Sequence, residues 1–369
     1  MRVGFDARWY SGAGIGTYIV QLVKALTEYC EDIELILFES PNNRLPIHNH
    51  RLVRIPTNGG LYSMHTPTGQ LRLRRMSREL GLDVFHCPFY AAPLFLTCPL
   101  IITIHDLIPF MFPTGKPWTR SLVRLGYKAA ARSADHIIAD SETTARDIRR
   151  LLGVAPENVH AIYLAADNDA FRPVPAKNEL LYLQDKYRLK PPYVVVPSAR
   201  NWRTKNLESA LEALFRVQRL HGLSFQIAAY GPDDGLRALT QTDHRKDMKL
   251  DYLGFVPDMD LAVLFRNAEL FVSLPLYEGF GLPMLEAMSA GCAVVTSNAG
   301  SVAEVVADGG QCFPPTDIEA ISGAIGEILL SPEVRDAWRA RALGRPADFS
   351  WRRTAEETAR IYKLATRKQ

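Results

Sequence analysis

Ser273-Leu-Pro-Leu-Tyr-Glu278-Gly-Phe-Gly-Leu-Pro283-Met-Leu-Glu286-Ala-Met-Ser-Ala-Gly291 reads as the end of a strand, a glycine loop and a short helix, in that order. The apolar run Leu270–Ser273 leads into it. Pro283 suits a first helical turn, where its missing N–H costs nothing, and Gly291 suits the position just past a helix end. In a sheet of parallel strands such a helix aims its N-terminus at the edge where ligands bind.

The same alternation extends in both directions. Toward the C-terminal half, strands are expected at 193–196, 224–230, 249–252, 270–273 and 293–297, each followed by a helical segment. Toward the N-terminus they are expected at 2–6, 34–38, 84–86, 100–104 and 136–139. Helices are expected near 15–29, where Ile19, Leu22, Val23 and Leu26 share one face, and near 119–132, with another after Ser141. Apolar strands alternating with helices imply parallel sheets covered on both faces. Between the two series lies Asp167-Asn-Asp169-Ala-Phe-Arg-Pro173-Val-Pro175, a proline-marked connector. The reading is therefore α/β, with two doubly wound Rossmann-like domains facing a central cleft. The first spans 1–172, the second 173–351, and a last helix near 352–369 has no strand after it and returns to the first.

Composition sets limits. A chain of 369 residues can hold two domains, and 47% hydrophobic with 22% charged residues is ordinary for a globular protein. A net charge of +3 and the lack of an arginine-rich or RNP-like run argue against a nucleic-acid partner. Cys30, Cys87, Cys98, Cys292 and Cys312 form no C-x-x-C pair and are odd in number, which points to reduced thiols in the cytoplasm. Met1–Asp6 reads directly as a strand, without a signal peptide before it. The most apolar stretch, 91–112, is interrupted by Pro93, Pro99, His105, Asp106 and Pro109, so buried strands explain it better than a membrane span.

The loop–helix stretch also carries chemistry. Backbone N–H groups at Gly279, Phe280, Gly281 and Leu282, with the helix dipole behind them, make an anion site. Two carboxylates beside an anion site call for hydroxyl ligands: a carboxylate accepts two O–H donors and so suits a sugar diol. The plainer reading, acidic residues favoured by a helix start, accounts for either glutamate alone but not for both with the Gly-Phe-Gly-Leu-Pro spacer between them. A second segment, Pro197-Ser-Ala-Arg200-Asn-Trp-Arg203-Thr-Lys205-Asn206-Leu, follows a buried strand and opens a helix. Cations are disfavoured at a helix start, so three of them suggest a pyrophosphate.

The spacing of Glu278 and Glu286 within E-G-F-G-L-P-x-L-E-A-M resembles the signature of the retaining family-4 glycosyltransferases (glycosyl transferases group 1), which have the GT-B fold, and the resemblance covers nearly the whole chain. It implies that Glu278 lies by the donor hexose and Glu286 binds the ribose, with Gly279–Leu282 at the donor phosphates. Lys205-Asn206-Leu207 resembles the family's diphosphate clamp, completed by Arg200 in preference to Arg203, although the family glycine near Ser198 is missing. The turn Gly12-Ala-Gly14-Ile-Gly16 is not G-x-G-x-x-G and reads equally as a tight strand-to-helix turn; the resemblance makes Gly14 and Gly16 the backbone approach to the donor phosphates. In Ile101-Ile-Thr-Ile-His105-Asp106-Leu the histidine would face the donor sugar and Asp106 would orient it or meet acceptor; a buried packing histidine is the plain alternative. His86 takes the packing role.

The implied activity is a retaining hexosyl transfer from a nucleotide sugar, GDP- or UDP-linked, to a glycan or lipid-linked sugar acceptor. GDP-mannose is the expected donor, because the first domain resembles bacterial surface-polysaccharide mannosyltransferases. No cofactor and no metal are expected: Asp167-Asn-Asp169 falls in the connector, and Asp258-Met-Asp260 looks like a helix cap. Catalysis would rest on His105, Glu278, Lys205 and Arg200. Basic runs at Arg72–Arg78 and at Arg120, Arg124, Lys128 and Arg132 are solvated faces or a peripheral contact with anionic membrane. The rivals are a sugar-nucleotide epimerase or phosphorylase on the same fold, and a sugar-nucleotide-binding protein without turnover.

Overall fold

A computed structural model of the chain describes residues 1–10, 14–40, 44–47, 52–56, 66–198, 204–232 and 249–367. Contacts divide it into two compact units, Met1–Leu164 with Ser350–Gln369, and Ala165–Phe349. The division thus falls at 164/165, ahead of the proline-marked connector, and the last helix lies in the first unit.

The first unit is built on a seven-stranded sheet in the order β3-β2-β1-β4-β5-β6-β7, all neighbours parallel. The strands are β1 (Arg2–Asp6), β2 (Glu34–Glu39), β3 (Leu52–Pro56), β4 (Val84–Cys87), β5 (Leu100–Ile104), β6 (His136–Ala139) and β7 (Val159–Ala161). Helices α1 (Gly14–Tyr29), α2 (Pro67–Glu79), α3 (Ile108–Met111), α4 (Pro117–Ser133) and α5 (Glu142–Leu152) connect them. β4, β5 and β6 are buried along their whole length, as the apolar runs require of inner strands covered on both faces. Thr66 caps α2 and Ser141 caps α5, each accepting a backbone N–H three residues on.

The second unit has six parallel strands in the order β10-β9-β8-β11-β12-β13. They are β8 (Tyr193–Pro197), β9 (Gln226–Tyr230), β10 (Leu250–Gly254), β11 (Leu270–Ser273), β12 (Val294–Ser297) and β13 (Gln311–Phe313). Their helices are α6 (Glu179–Tyr187), α7 (Leu207–His221), α8 (Asp258–Asn267), α9 (Leu282–Ser289), α10 (Val302–Val306), α11 (Ile318–Leu330) and α12 (Pro332–Gly344). One face of the sheet packs its valines and isoleucines against Leu211, Leu214 and Val217 of α7 and Ile321, Ile325 and Ile328 of α11. The chain leaves β8 toward β9 on one side, while β11 leads to β12 on the other. That reversal opens a crevice beyond the carboxyl ends of β8 and β11.

Helix α13 (Trp351–Thr366) completes the first unit. Its face of Ala355, Ala359 and Tyr362 is buried, Thr354 Oγ1 donates to Tyr163 O at 2.6 Å, and Tyr362 OH meets His86 Nδ1 at 2.7 Å.

Candidate functional site

The loops that follow β8 and β11 meet at this crevice. Leu276 N donates to Thr204 O at 2.7 Å, drawing the two loops together one residue before Lys205. The Lys205 ammonium then forms an ion pair with the Glu278 carboxylate, and both side chains are largely sheltered. Asn206 is spent on structure: its amide donates to Pro315 O at 2.8 Å and its carbonyl accepts from Ser209 Oγ at 2.8 Å. Arg200 and Arg203 lie outside the described residues, so this part of the cationic segment is represented by Lys205 alone.

Glu278 is held by a neighbour that local motif reading does not reveal. Gly300 presses its backbone so closely that a Cβ there would stand 2.7 Å from Glu278 O and 2.8 Å from Glu278 N, and its φ of +63° also favours glycine. Ser301 donates from its N–H (3.2 Å) and its hydroxyl (3.0 Å) to Glu278 O, and the hydroxyl also reaches Phe280 O at 2.9 Å. The Phe280 ring is buried edge-on against Phe349, so this residue offers the site its backbone and not its ring. Gly281, at φ +102°, precedes α9, where Pro283 brings no N–H and Met284 N donates back to Gly281 O at 3.1 Å.

Glu286 stands one turn into α9 and keeps part of its surface exposed. Burial, then the nearby charges of Asp258 and Asp167, push its carboxyl up from 4.5 to about 8. Near it lies Tyr230, at the end of β9, whose buried hydroxyl has no hydrogen-bond partner among the described residues. The neighbouring strand ends are stitched tightly. Ser198 N donates to Tyr230 O at 2.6 Å, Gly231 N to Gly254 O at 2.7 Å, and a Cβ at Gly231 would run into the Ser198 carbonyl oxygen. That approach requires the glycine at 231, at φ +109°.

The acidic pairs behave differently from a ligand set. Asp167 Oδ1 accepts the Asp169 N–H at 2.9 Å in a local turn. Neither Asp258 nor Asp260 caps α8 as expected: the position before the helix is Pro257, without a side-chain cap. Asp260 instead accepts from Tyr182 OH (2.8 Å), Tyr187 OH (2.5 Å) and Lys186 Nζ (2.5 Å), tying α8 to α6.

In the first unit, His105 follows β5 with both ring nitrogens engaged. Nδ1 meets Asp140 Oδ2 at 2.7 Å and Nε2 meets Pro88 O at 3.1 Å. Two acceptors on one imidazole favour the doubly protonated ring. Burial opposes that charge, but Asp140 outweighs it and leaves His105 above its ordinary value. The orienting carboxylate is therefore Asp140 and not Asp106, which accepts the Ile108 N–H at 2.9 Å. The other Asp140 oxygen is buried with no partner among the described residues. The Tyr18 ring packs edge-on against His105 at 4.9 Å, and its hydroxyl begins a buried chain through Thr103 (2.9 Å), His86 (2.8 Å) and Tyr362 (2.7 Å). His86 has the expected packing role, and burial pushes its imidazole down to about 3. Gly14 opens α1 and Gly16 is buried in its first turn, so both are helical; the turn before them lies outside the described residues.

Set beside known proteins, residues 183–345 match the profile of Glycosyl transferases group 1 and residues 12–170 that of Glycosyltransferase Family 4. The O-antigen chain mannosyltransferase B of Escherichia coli is 31% identical over 96% of this chain and 97% of its own. Among solved structures, a sucrose-phosphate synthase from Thermosynechococcus elongatus superposes with a TM-score of 0.81 at 19% identity, covering 100% of both chains. Anabaena Alr3699/HepE, solved with UDP and glucose, gives 0.77 at 17% identity over 98% of this chain and 99% of that one.

Proposed function

From the premise that the chain belongs to the family-4 glycosyltransferases of the GT-B fold, we propose that it transfers a hexose from a nucleotide sugar to a glycan or lipid-linked sugar, with retention of anomeric configuration and without a metal ion. The observation that carries this reading is the Lys205–Glu278 pair at the crevice between β8 and β11, beside the N-terminus of α9. The donor diphosphate takes the Lys205 ammonium from Glu278, aided by Arg200 and by the amides of Gly279, Phe280, Gly281 and Leu282. The exchange frees the Glu278 carboxylate for hexose hydroxyls. Glu286 holds the ribose diol, and Gly14 and Gly16 give the first unit its approach to the donor phosphates.

In the reaction the acceptor oxygen bonds to the anomeric carbon on the face from which the phosphate oxygen departs. The acceptor proton passes to that leaving phosphate oxygen, and Lys205 and Arg200 neutralise its charge, the part a metal ion plays elsewhere. His105, held by Asp140, presents a fixed positive edge to the donor sugar. The E. coli relative supports mannose as the hexose and surface polysaccharide as the setting, hence GDP-mannose; the UDP complex of the Anabaena neighbour supports the wider class of nucleoside diphosphate donors. A cytoplasmic enzyme resting on anionic membrane through α2 and α4 belongs to the same reading.

The test is transfer from GDP-mannose and its UDP- and ADP-linked counterparts to mannose-terminated oligosaccharides in excess chelator, with the product anomer read by NMR. The expected product is an α-linked sugar from the α-linked donor at undiminished rate. An inverted anomer, or activity restored only by a divalent ion, contradicts the proposal.

A further inference from the structure

Four buried polar side chains, each from a different element, form one hydrogen-bonded chain in the first unit. Tyr18 of α1 meets Thr103 of β5 at 2.9 Å, Thr103 meets His86 of β4 at 2.8 Å, and His86 meets Tyr362 of α13 at 2.7 Å. None of the four is more than 1% exposed. Their bulk alone does not require polar groups, since apolar side chains of the same shape would fill the space with little change in stability. A buried network in which each member has a partner fixes geometry instead. His86 stays neutral, its imidazole pushed down to about 3 by burial and then by the charge of His105. A neutral imidazole has one N–H and one lone pair, so it donates to one hydroxyl and accepts from the other. Its two bonds therefore run in one sense along the chain.

The near end of the chain rests on His105. Asp140 and Pro88 O hold the two ring nitrogens at 2.7 Å and 3.1 Å. Two such bonds fix the nitrogens but leave the ring able to tilt about the line joining them. The Tyr18 ring stands at 76° to the imidazole with centroids 4.9 Å apart, where it blocks that tilt. It can do so only while its own ring is still, and Thr103 pins its hydroxyl. Helix α13 reaches this arrangement twice: through Tyr362 at the far end of the chain, and through Trp351, whose ring lies 6.4 Å from that of Tyr18.

We propose that Tyr18 is a positioning residue for His105, and that its hold is set from the C-terminal helix through Tyr362, His86 and Thr103. This deepens the transferase reading and rests on it at one point, that His105 faces the donor sugar. An imidazole that tilts cannot keep its positive edge on the charge that develops there.

Tyr18→Phe and Tyr362→Phe each keep a ring and remove one end of the chain. Each is expected to lower kcat for hexose transfer about tenfold with KM for the nucleotide sugar unchanged, because the lost geometry matters in the transition state. The double variant is expected to be no slower than the slower single variant, since groups acting through one chain do not add. In NMR of the imidazoles, both variants are expected to lower the His105 titration point toward the ordinary 6.5. Thr358→Val on the same helix is the control: its buried hydroxyl has no partner among the described residues, and its loss is expected to move neither readout. Tyr362→Phe also deprives His86 of a partner, so its melting midpoint is expected to fall. Lost stability alone would leave the rate per folded molecule and the His105 titration at their wild-type values, and that result overturns the proposal. A Thr358→Val chain as slow as Tyr362→Phe overturns it too. If the wild-type chain transfers no hexose, the transferase reading falls and the imidazole titration alone decides: a His105 titration moved in Tyr362→Phe supports the brace, and an unmoved one overturns it.

Discussion

Glu286 sets the sign of a pH response. Its folded value of about 8 exceeds the ordinary 4.5, so the native state holds a proton that the unfolded chain releases between these values. This group therefore lowers stability as pH rises from 4.5 to 8, by on the order of a few kcal/mol at most. Glu286→Gln, which imitates the neutral acid, is expected to melt higher than wild type at pH 8 and about equally at pH 4.5, measured by thermal denaturation. Donor binding is expected to move the opposite way: a ribose diol held by the carboxylate expels the proton, so affinity climbs by up to about tenfold per pH unit below 8. Titration calorimetry across pH 6–9 reads it, and a flat profile would show that the acid form holds the diol. His105 moves stability in the same direction as Glu286. Its raised value means its stabilisation is present below 6.5 and lost as pH climbs through the folded value. Asp140→Asn is expected to lower the imidazole's titration point in NMR and to cut transfer most at the alkaline end. Glu278 and Glu286 stood out in the sequence by their spacing within one loop and helix, and Lys205 as a cation at a separate helix start; the ion pair between Lys205 and Glu278, 73 residues apart, needed the structure. Asp140 was not, because it reaches His105 from 35 residues away, a pairing created by adjacent strands.

At the scale of elements, Gly300 lies close against the Glu278 backbone. Gly300→Ala would drive a methyl into the Glu278 backbone at a left-handed φ, and is expected to destabilise the second unit by about 1–3 kcal/mol. Donor affinity should fall with it, while Gly14→Ala, whose Cβ meets nothing within 4 Å, should leave stability near wild type. Urea denaturation with and without nucleotide distinguishes the two. The inner strands were legible as apolar runs because both faces of a parallel sheet are covered. β3, β7 and β13 were not: each sits at a sheet edge, two have three residues, and β3 contains Arg54 and Pro56. The acidic start of α8 misled for another reason, since the carboxylate of Asp260 finds two tyrosines and a lysine on α6 in place of backbone amides.

At the scale of the molecule, the chain returns to its beginning. Helix α13 covers α1 and anchors Tyr362 on His86, so residues after Phe349 are part of the first unit's core. A chain ended at Phe349 is expected to lose hydrogen-exchange protection in β4 and β5 while β8, β11 and α9 retain theirs; protection lost equally in both units would contradict that division. The return was foreshadowed by a last helix with no strand after it, whereas the division at 164/165 depends on packing that the connector's prolines do not report. Lys205 and Glu278 are proposed to seat a nucleoside diphosphate sugar, and the melting shift of wild-type and Lys205→Ala chains with GDP, UDP, ADP and their hexose derivatives tests it. At least one sugar nucleotide is expected to raise the wild-type midpoint, with the variant's affinity reduced about a hundredfold by loss of a sheltered charge-assisted contact. A folded wild-type chain that responds to none of them, or a variant that responds equally, would contradict a donor seat at Lys205 and Glu278.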